Sequence, residues 1–215
     1  MDLLLGSDIG RWVASIVDPR TVRVVVTQDA DIARTASRRG MSVVGMPLDG
    51  GRALSVHYPT ILDPKALHQY AQVWNLHPGL LPWGRGHFPL VWSIWLHEPA
   101  GATLHRMVEK VDAGPIVDQI RVPLRLSETG DSLHRRIRAA ERRLFKKWWT
   151  VLLTDSPIPE RPQAGRGSYH DRKAFARLLN TDPDRLSEED AARLRRALTF
   201  TGKPGLRPSR RNSTA

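Results

Sequence analysis

Short apolar runs alternate with amphipathic stretches along the first half of the chain. Residues 2 to 6 and Val22-Arg23-Val24-Val25-Val26-Thr27 read as strands, with a helix-like segment from near Asp8 between them. Ser42-Val43-Val44-Gly45-Met46 follows a second helical stretch, and Ala53 to Tyr58 makes the next strand. Parallel neighbours need a crossover long enough to hold a helix, so this alternation implies βαβ units. The pattern predicts an α/β protein with a Rossmann-like, mostly parallel twisted sheet flanked by helices.

Pro64 to Tyr70 reads as a short helix. The largely apolar segment from 71 to 76 then reads as a buried parallel strand that opens, past Asn75 and His77, into a loop carrying Pro78 and Pro82. In an open α/β sheet, ligands bind at that carboxyl end. Phe88 to His97 predicts a tryptophan-rich helix. Ala102 to Val108 and Ile116 to Val122 predict two strands around the tight loop Asp112-Ala113-Gly114, too close for a parallel crossover and so paired as a hairpin.

Ser127 to Ser132 offers caps for a long amphipathic helix reaching about Leu153, with Leu133, Ile137, Leu144 and Trp148 facing inward and a basic opposite face. From Asp155 the composition shifts. Pro157, Pro159 and Pro162 mark a loop-rich link to helices around Asp171 to Leu179 and Ser187 to Leu198. The chain thus divides into a catalytic domain, residues 1–154, and a loop-rich, basic C-terminal appendage, residues 155–215. Its last stretch, Gly202 to Ala215, is rich in Gly, Pro, Ser and Arg and predicts disorder.

Composition narrows the class. The 215 residues, 40% hydrophobic and 26% charged, suit one sizeable core with a short appendage. With no cysteine there is neither a disulfide framework nor a thiolate zinc site, and the eight histidines show no metal-ligand spacing, so no metal is expected. The first residues lack a signal-peptide layout and no apolar run is long enough to span a bilayer, which predicts a cytoplasmic protein with no membrane partner. A net charge of +11 and a pI of about 10.9 favour an anionic partner: nucleic acid, a polyglutamylated cofactor or a phosphorylated substrate.

Asn75 and His77, two apart on an extended segment, project to the same side of their strand. Acyl transfer to an amine needs donors for a developing oxyanion and an acceptor for the amine proton. Asn75 and His77 suit the first need; an ionised Asp112 suits the second, or orients His77. Taken singly, the same residues also fit a turn-forming Asn, a semi-buried imidazole and an ordinary Asp-Ala-Gly turn.

Their order along the chain decides otherwise. Asn75, His77, Pro78, Leu80-Leu81-Pro82, Arg85-Gly86, Thr103-Leu104-His105 and Asp112-Ala113-Gly114-Pro115-Ile116 together resemble the folate-dependent formyltransferase family, with Gly79 standing where a Ser is usual. The resemblance implies a catalytic triad of Asn75, His77 and Asp112, with His105 lining the active site. It implies 10-formyltetrahydrofolate as cosubstrate, its pterin held by Tyr58, Ile61, Leu62, Val111 and Asp112. Gly6-Ser7-Asp8-Ile9-Gly10 reads as a sharp turn, since Asp8 would repel a phosphate.

Within the family, Arg85-Gly86-His87-Phe88-Pro89-Leu90-Val91-Trp92 and Gly167-Ser168-Tyr169-His170-Asp171-Arg172-Lys173 are similar to segments of the sugar-nucleotide N-formyltransferases. That implies formyl transfer to a primary amine on an amino-sugar nucleotide. Arg85, His87, His105, Tyr169 and Arg172 are then the acceptor-side residues, Tyr169 stacking on a base and Arg172 or Lys173 meeting a diphosphate. Similar sugar enzymes also imply a homodimer formed through residues 155–200. The alternatives left standing are glycinamide ribonucleotide or methionyl-tRNA as acceptor, a hydrolase acting on the same folate, and a basic RNA-binding module that keeps the fold.

Overall fold

A computed structural model describes residues 1–47 and 50–200; the expected disorder of Gly202 to Ala215 concerns residues outside that range. The chain forms two compact units interleaved in sequence. Among the described residues, the first takes Met1–His77, Thr103–Gln119 and Glu141–Gln163, and the second takes Pro78–Ala102, Ile120–Ala140 and 164–200.

The first unit is built on a seven-stranded sheet. Along the chain its elements run β1 (Asp2–Leu5), α1 (Ser7–Ile16), β2 (Val24–Val26), α2 (Ala30–Arg38), β3 (Val43–Val44), β4 (Arg52–Val56), α3 (Pro64–His68) and β5 (Gln72–His77). With β7 (Gly101–Arg106) and β8 (Ile116–Arg121) added, every strand core expected from the apolar runs is present, in the order β3-β2-β1-β4-β5-β7-β8. The first five strands are parallel. The two short strands β6 (Arg85–Gly86) and β9 (Tyr169–His170) form a separate parallel ladder. β7 runs antiparallel to β5, and β8 lies beyond it.

Successive side chains on a strand point to opposite faces, so the continuous apolar runs are buried on both sides. Leu4, Val24, Val26, Ala53 and Val73 pack with Leu62, Leu67 and Tyr70 in one core cluster. α1 packs through Trp12, whose ring meets Phe145 edge-on with 5.6 Å between centroids. Two of these helices, α2 and α3, begin where short polar side chains hold the free backbone N–H groups. Asp29 accepts from Asp31 and Ile32, and Asp63 accepts from Ala66 just ahead of Pro64.

α5 (Gly130–Leu152) starts at a reciprocal cap, Thr129 N–H to Ser132 Oγ and Ser132 N–H to Thr129 Oγ1. Leu133, Ile137 and Leu144 are buried, as the helical period requires. The expected inward Trp148 is corrected to Trp149, which stacks on Phe145 at 5.2 Å. Trp148 is half-buried and donates its indole N–H to Asp118 Oδ2 at 2.8 Å. The two positions flank one apolar stripe, and the carboxylate facing Trp148 decides which ring goes inside.

In the second unit, α4 (Pro89–Trp95) and α7 (Glu188–Ala197) pack together and α6 (Arg172–Leu179) contributes Phe175 and Leu178 to the interior. No described helix is long and apolar enough to cross a membrane.

Candidate active site

The expected site residues of the first unit meet at the carboxyl end of β5. In the β5–β7 register Asn75 lies directly opposite His105, and His77 opposite Thr103. Directly opposed residues on antiparallel strands project to one face, so Asn75 and His105 must meet. Asn75 Nδ2 lies 3.3 Å from His105 Nε2 and 3.5 Å from Asp112 Oδ1. Asp112 sits between two imidazoles, its Oδ2 at 3.6 Å from His77 Nδ1 and its Oδ1 at 3.5 Å from His105 Nε2. His77 and His105 are both buried, and the Asp112 side chain is 12% exposed.

These distances are long for hydrogen bonds. A carboxylate this shielded from water needs cationic or donor partners, and the Asn75 amide is one. His105 Nδ1 donates to the carbonyl of Arg106 at 2.9 Å, which turns Nε2 toward the Asn75 amide. His105, expected to line the site on the acceptor side, is thus in direct contact with Asn75 and within reach of Asp112.

Asp112 itself is held in an unusual backbone conformation, with φ of 51°. The left-handed region is tolerated by Asp better than by most residues, and such strain persists only where surroundings over-determine it. Those surroundings are specific. A Cβ on Gly114 would lie 1.8 Å from the Arg106 carbonyl oxygen, so only glycine lets the loop close against the end of β7. Gln163 then donates through Nε2 to both the Asp112 and Gly114 carbonyls, at 2.7 and 2.8 Å. The segment leading to Gln163 is stitched to the first strand residue beyond the loop: Arg161 and Ile116 exchange two backbone hydrogen bonds of 2.7 and 2.9 Å. Arg106 is in turn paired with Glu160 at 2.9 Å.

Of the residues expected to hold a pterin, Ile61 is 69% exposed and Tyr58 and Val111 are half-buried, so they present apolar surface. Leu62 is packed in the core cluster. One polar pair went unread in the sequence. His57 follows β4 directly, with φ of 54°, and its Nε2 lies 2.6 Å from Oε1 of the fully buried Glu141. The readable signal was Glu141 itself, an acidic residue on the apolar stripe of α5 between Ile137 and Leu144. Gln163 carried no such signal, because nothing in a proline-rich link distinguishes one glutamine.

In the second unit, β6 and β9 pair Arg85 with Tyr169 and Gly86 with His170. A Cβ on Gly86 would come 2.4 Å from the His170 carbonyl oxygen, which explains a glycine after Arg85. The ladder is braced from behind. Glu98, buried, accepts from Ser168 Oγ at 2.8 Å and lies 3.0 Å from His170 Nε2, while His170 stacks on Trp92 at 4.1 Å. Tyr169 is left 56% exposed. His87 packs edge-on to Phe88 and Phe175. Burial, reinforced by the Arg172 charge, lowers its pKa below the usual imidazole value. Arg85, His87, Tyr169 and Arg172 thus all belong to one unit, and Asn75, His77, His105 and Asp112 to the other. Among the described residues no group of three or more His, Asp and Glu is arranged to hold a metal.

The formyl transferase family model matches residues 22–148. Among solved structures, a sugar N-formyltransferase from a Shewanella species superposes with a TM-score of 0.78 at 24% identity, over 94% of this chain and 90% of that one. An N-formyltransferase from Helicobacter canadensis, in complex with folinic acid and dTDP-3-aminofucose, gives 0.77 at 19% identity over 93% and 80%. A glycinamide ribonucleotide transformylase from Symbiobacterium toebii gives 0.61 at 21% identity over 76% and 93%. At these identities the structural likeness speaks for the shared fold.

Proposed function

The chain belongs to the formyl transferase family, and from that premise we propose that it moves a formyl group from 10-formyltetrahydrofolate to the primary amine of an amino-sugar nucleotide. The observation that carries this reading is the convergence of Asn75, His77 and Asp112, with His105, on one carboxyl strand end. The Asn75 amide and a protonated His77 supply N–H donors for oxygen charge that grows during acyl transfer. Asp112 stabilises charge on His77 and accepts the proton that the attacking amine must lose.

When bound, the folate supplies an activated formyl group. The residues that would hold it fit an apolar ring: exposed Ile61, with Tyr58 and Val111, beside a carboxylate that accepts ring N–H donors. On the acceptor side, Tyr169 is 56% exposed and Arg85 is its backbone ladder partner; Arg172, whose charge reaches His87, adds a second cation for a diphosphate. The greater likeness to sugar N-formyltransferases than to a glycinamide ribonucleotide enzyme supports the same choice.

The test is direct. Purified protein is incubated with 10-formyltetrahydrofolate and, separately, amino-sugar nucleotides, glycinamide ribonucleotide and methionyl-tRNA, and products are weighed for a formyl gain. Gain on an amino-sugar nucleotide alone is expected. Gain on either other acceptor moves the protein to that branch, formate release without an acceptor makes it a hydrolase, and salt-sensitive RNA binding without folate turnover overturns the enzymatic reading.

A further inference from the structure

We propose that Gln163 is a positioning residue that sets Asp112 for proton transfer, an inference that rests on the formyl-transfer reading. A side-chain amide has two N–H donors on one nitrogen, and both are spent on a single loop: Nε2 reaches the Asp112 carbonyl at 2.7 Å and the Gly114 carbonyl at 2.8 Å. The amide orientation is forced, because turning it over would aim its oxygen at two carbonyl oxygens. Its Oε1 is buried with no partner among the described residues. Leaving a buried acceptor unmatched is unfavourable, and a methionine of similar shape would avoid it. What glutamine adds is the pair of donors.

The two carbonyls it ties belong to the strained turn that aims the Asp112 carboxylate. Asp112 has φ of 51°, and Gly114 is in contact with the Arg106 carbonyl. The Ala113 N–H of this turn is bonded to the Lys110 carbonyl at 3.1 Å, which closes the turn on itself. Gln163 ties the Asp112 and Gly114 carbonyls of the same turn to a segment outside it. Its own backbone is anchored, since the preceding Pro162 restricts the chain and Arg161 is locked to Ile116 through both backbone groups and to Gln119 through its guanidinium at 2.6 Å. The sheet therefore reaches Asp112 twice, once along β7 through Arg106 and once along β8 through Arg161 to Gln163.

Gln163→Met removes both donors while keeping length; Gln163→Glu keeps shape and, ionised, cannot donate. Two readouts are made on each folded protein. Amide hydrogen exchange is expected to speed up across residues 109–115 and stay unchanged in β1 and β2. Single-turnover formyl transfer is expected to fall by roughly 10- to 100-fold, as for a small misplacement of a catalytic group. In an Asp112→Asn background the same change is expected to cost less than about twofold, because a residue acting through Asp112 has nothing further to lose. Losses that multiply independently in the double variant, or loop exchange that does not change, overturn the proposal. Were the natural protein itself unable to transfer formyl groups, the failure would lie with the functional reading, and the exchange data would still decide whether Gln163 holds the loop.

Discussion

The two units carry their chemistry on different kinds of scaffold. In the first, Asn75, His77 and His105 stand on six-residue strands inside a seven-stranded sheet, where the ladder register alone puts Asn75 against His105. In the second, Arg85 and Tyr169 stand on strands of two residues each, and side chains set their geometry: Glu98 to Ser168 and His170, and His170 on Trp92. Sheet-borne groups are placed by many cooperative backbone bonds and tolerate little adjustment. Groups on a two-residue ladder rest on a few backbone bonds and the side-chain contacts that brace them, so a single substitution there removes a larger share of what fixes their geometry. Under the proposed function, the chemistry falls to the sheet-borne groups and the choice of acceptor to the two-residue ladder.

That division can be broken or sharpened by experiment. The largest effect is expected from Asp112→Asn, which keeps shape and removes charge. Single-turnover transfer should fall by about 10²–10⁴-fold, the usual contribution of a general acid or base, with folate affinity falling much less, by the loss of one carboxylate acceptor. Transfer near the natural rate would remove Asp112 from the chemistry.

Tyr169→Ala probes the two-residue ladder. Losing a stacking contact of ~1 kcal/mol should raise the acceptor KM by roughly fivefold with little change in kcat and none in folate binding. A fall in kcat with KM unchanged would mean the ladder serves the chemical step, and the comparison between units would fail.

His87 offers a gentler test through pH. Its folded pKa is lowered by burial and by Arg172, so the folded state resists a proton that the unfolded chain takes up near the ordinary value of about 6.5. The stability tied to its neutral ring is present above that value and declines as the pH falls from there toward the lowered folded pKa. Melting temperatures of the natural protein should therefore drop more steeply below roughly pH 6.5 than those of His87→Gln. Parallel curves would show that the ring is not held neutral.

The smallest effect is expected from ending the chain after Pro204. Asn75, His77, His105, Asp112 and Gln163 all precede that point, so folate affinity by titration should not change. A loss would assign part of the site to the tail.

Much of this architecture was legible in the chain itself. Apolar runs separated by helix-length amphipathic stretches dictated a parallel sheet, since local periodicity is a property of consecutive residues. The spacing Asn75-Leu76-His77 put two functional side chains on one strand face, and Asp112-Ala113-Gly114 announced a turn. Other features depended on partners distant in sequence. Whether Trp148 or Trp149 turned inward depended on Asp118, about 30 positions earlier. The β6–β9 ladder joins Arg85 to Tyr169 across two-residue strands too short to show any period. His105 reads as one more histidine until antiparallel pairing sets it against Asn75, and Gln163 as linker until the chain returns beside Ile116. Periodicity is local and so is written in the sequence; which side chains face one another across strands and loops is a consequence of closure, and only the folded chain decides it.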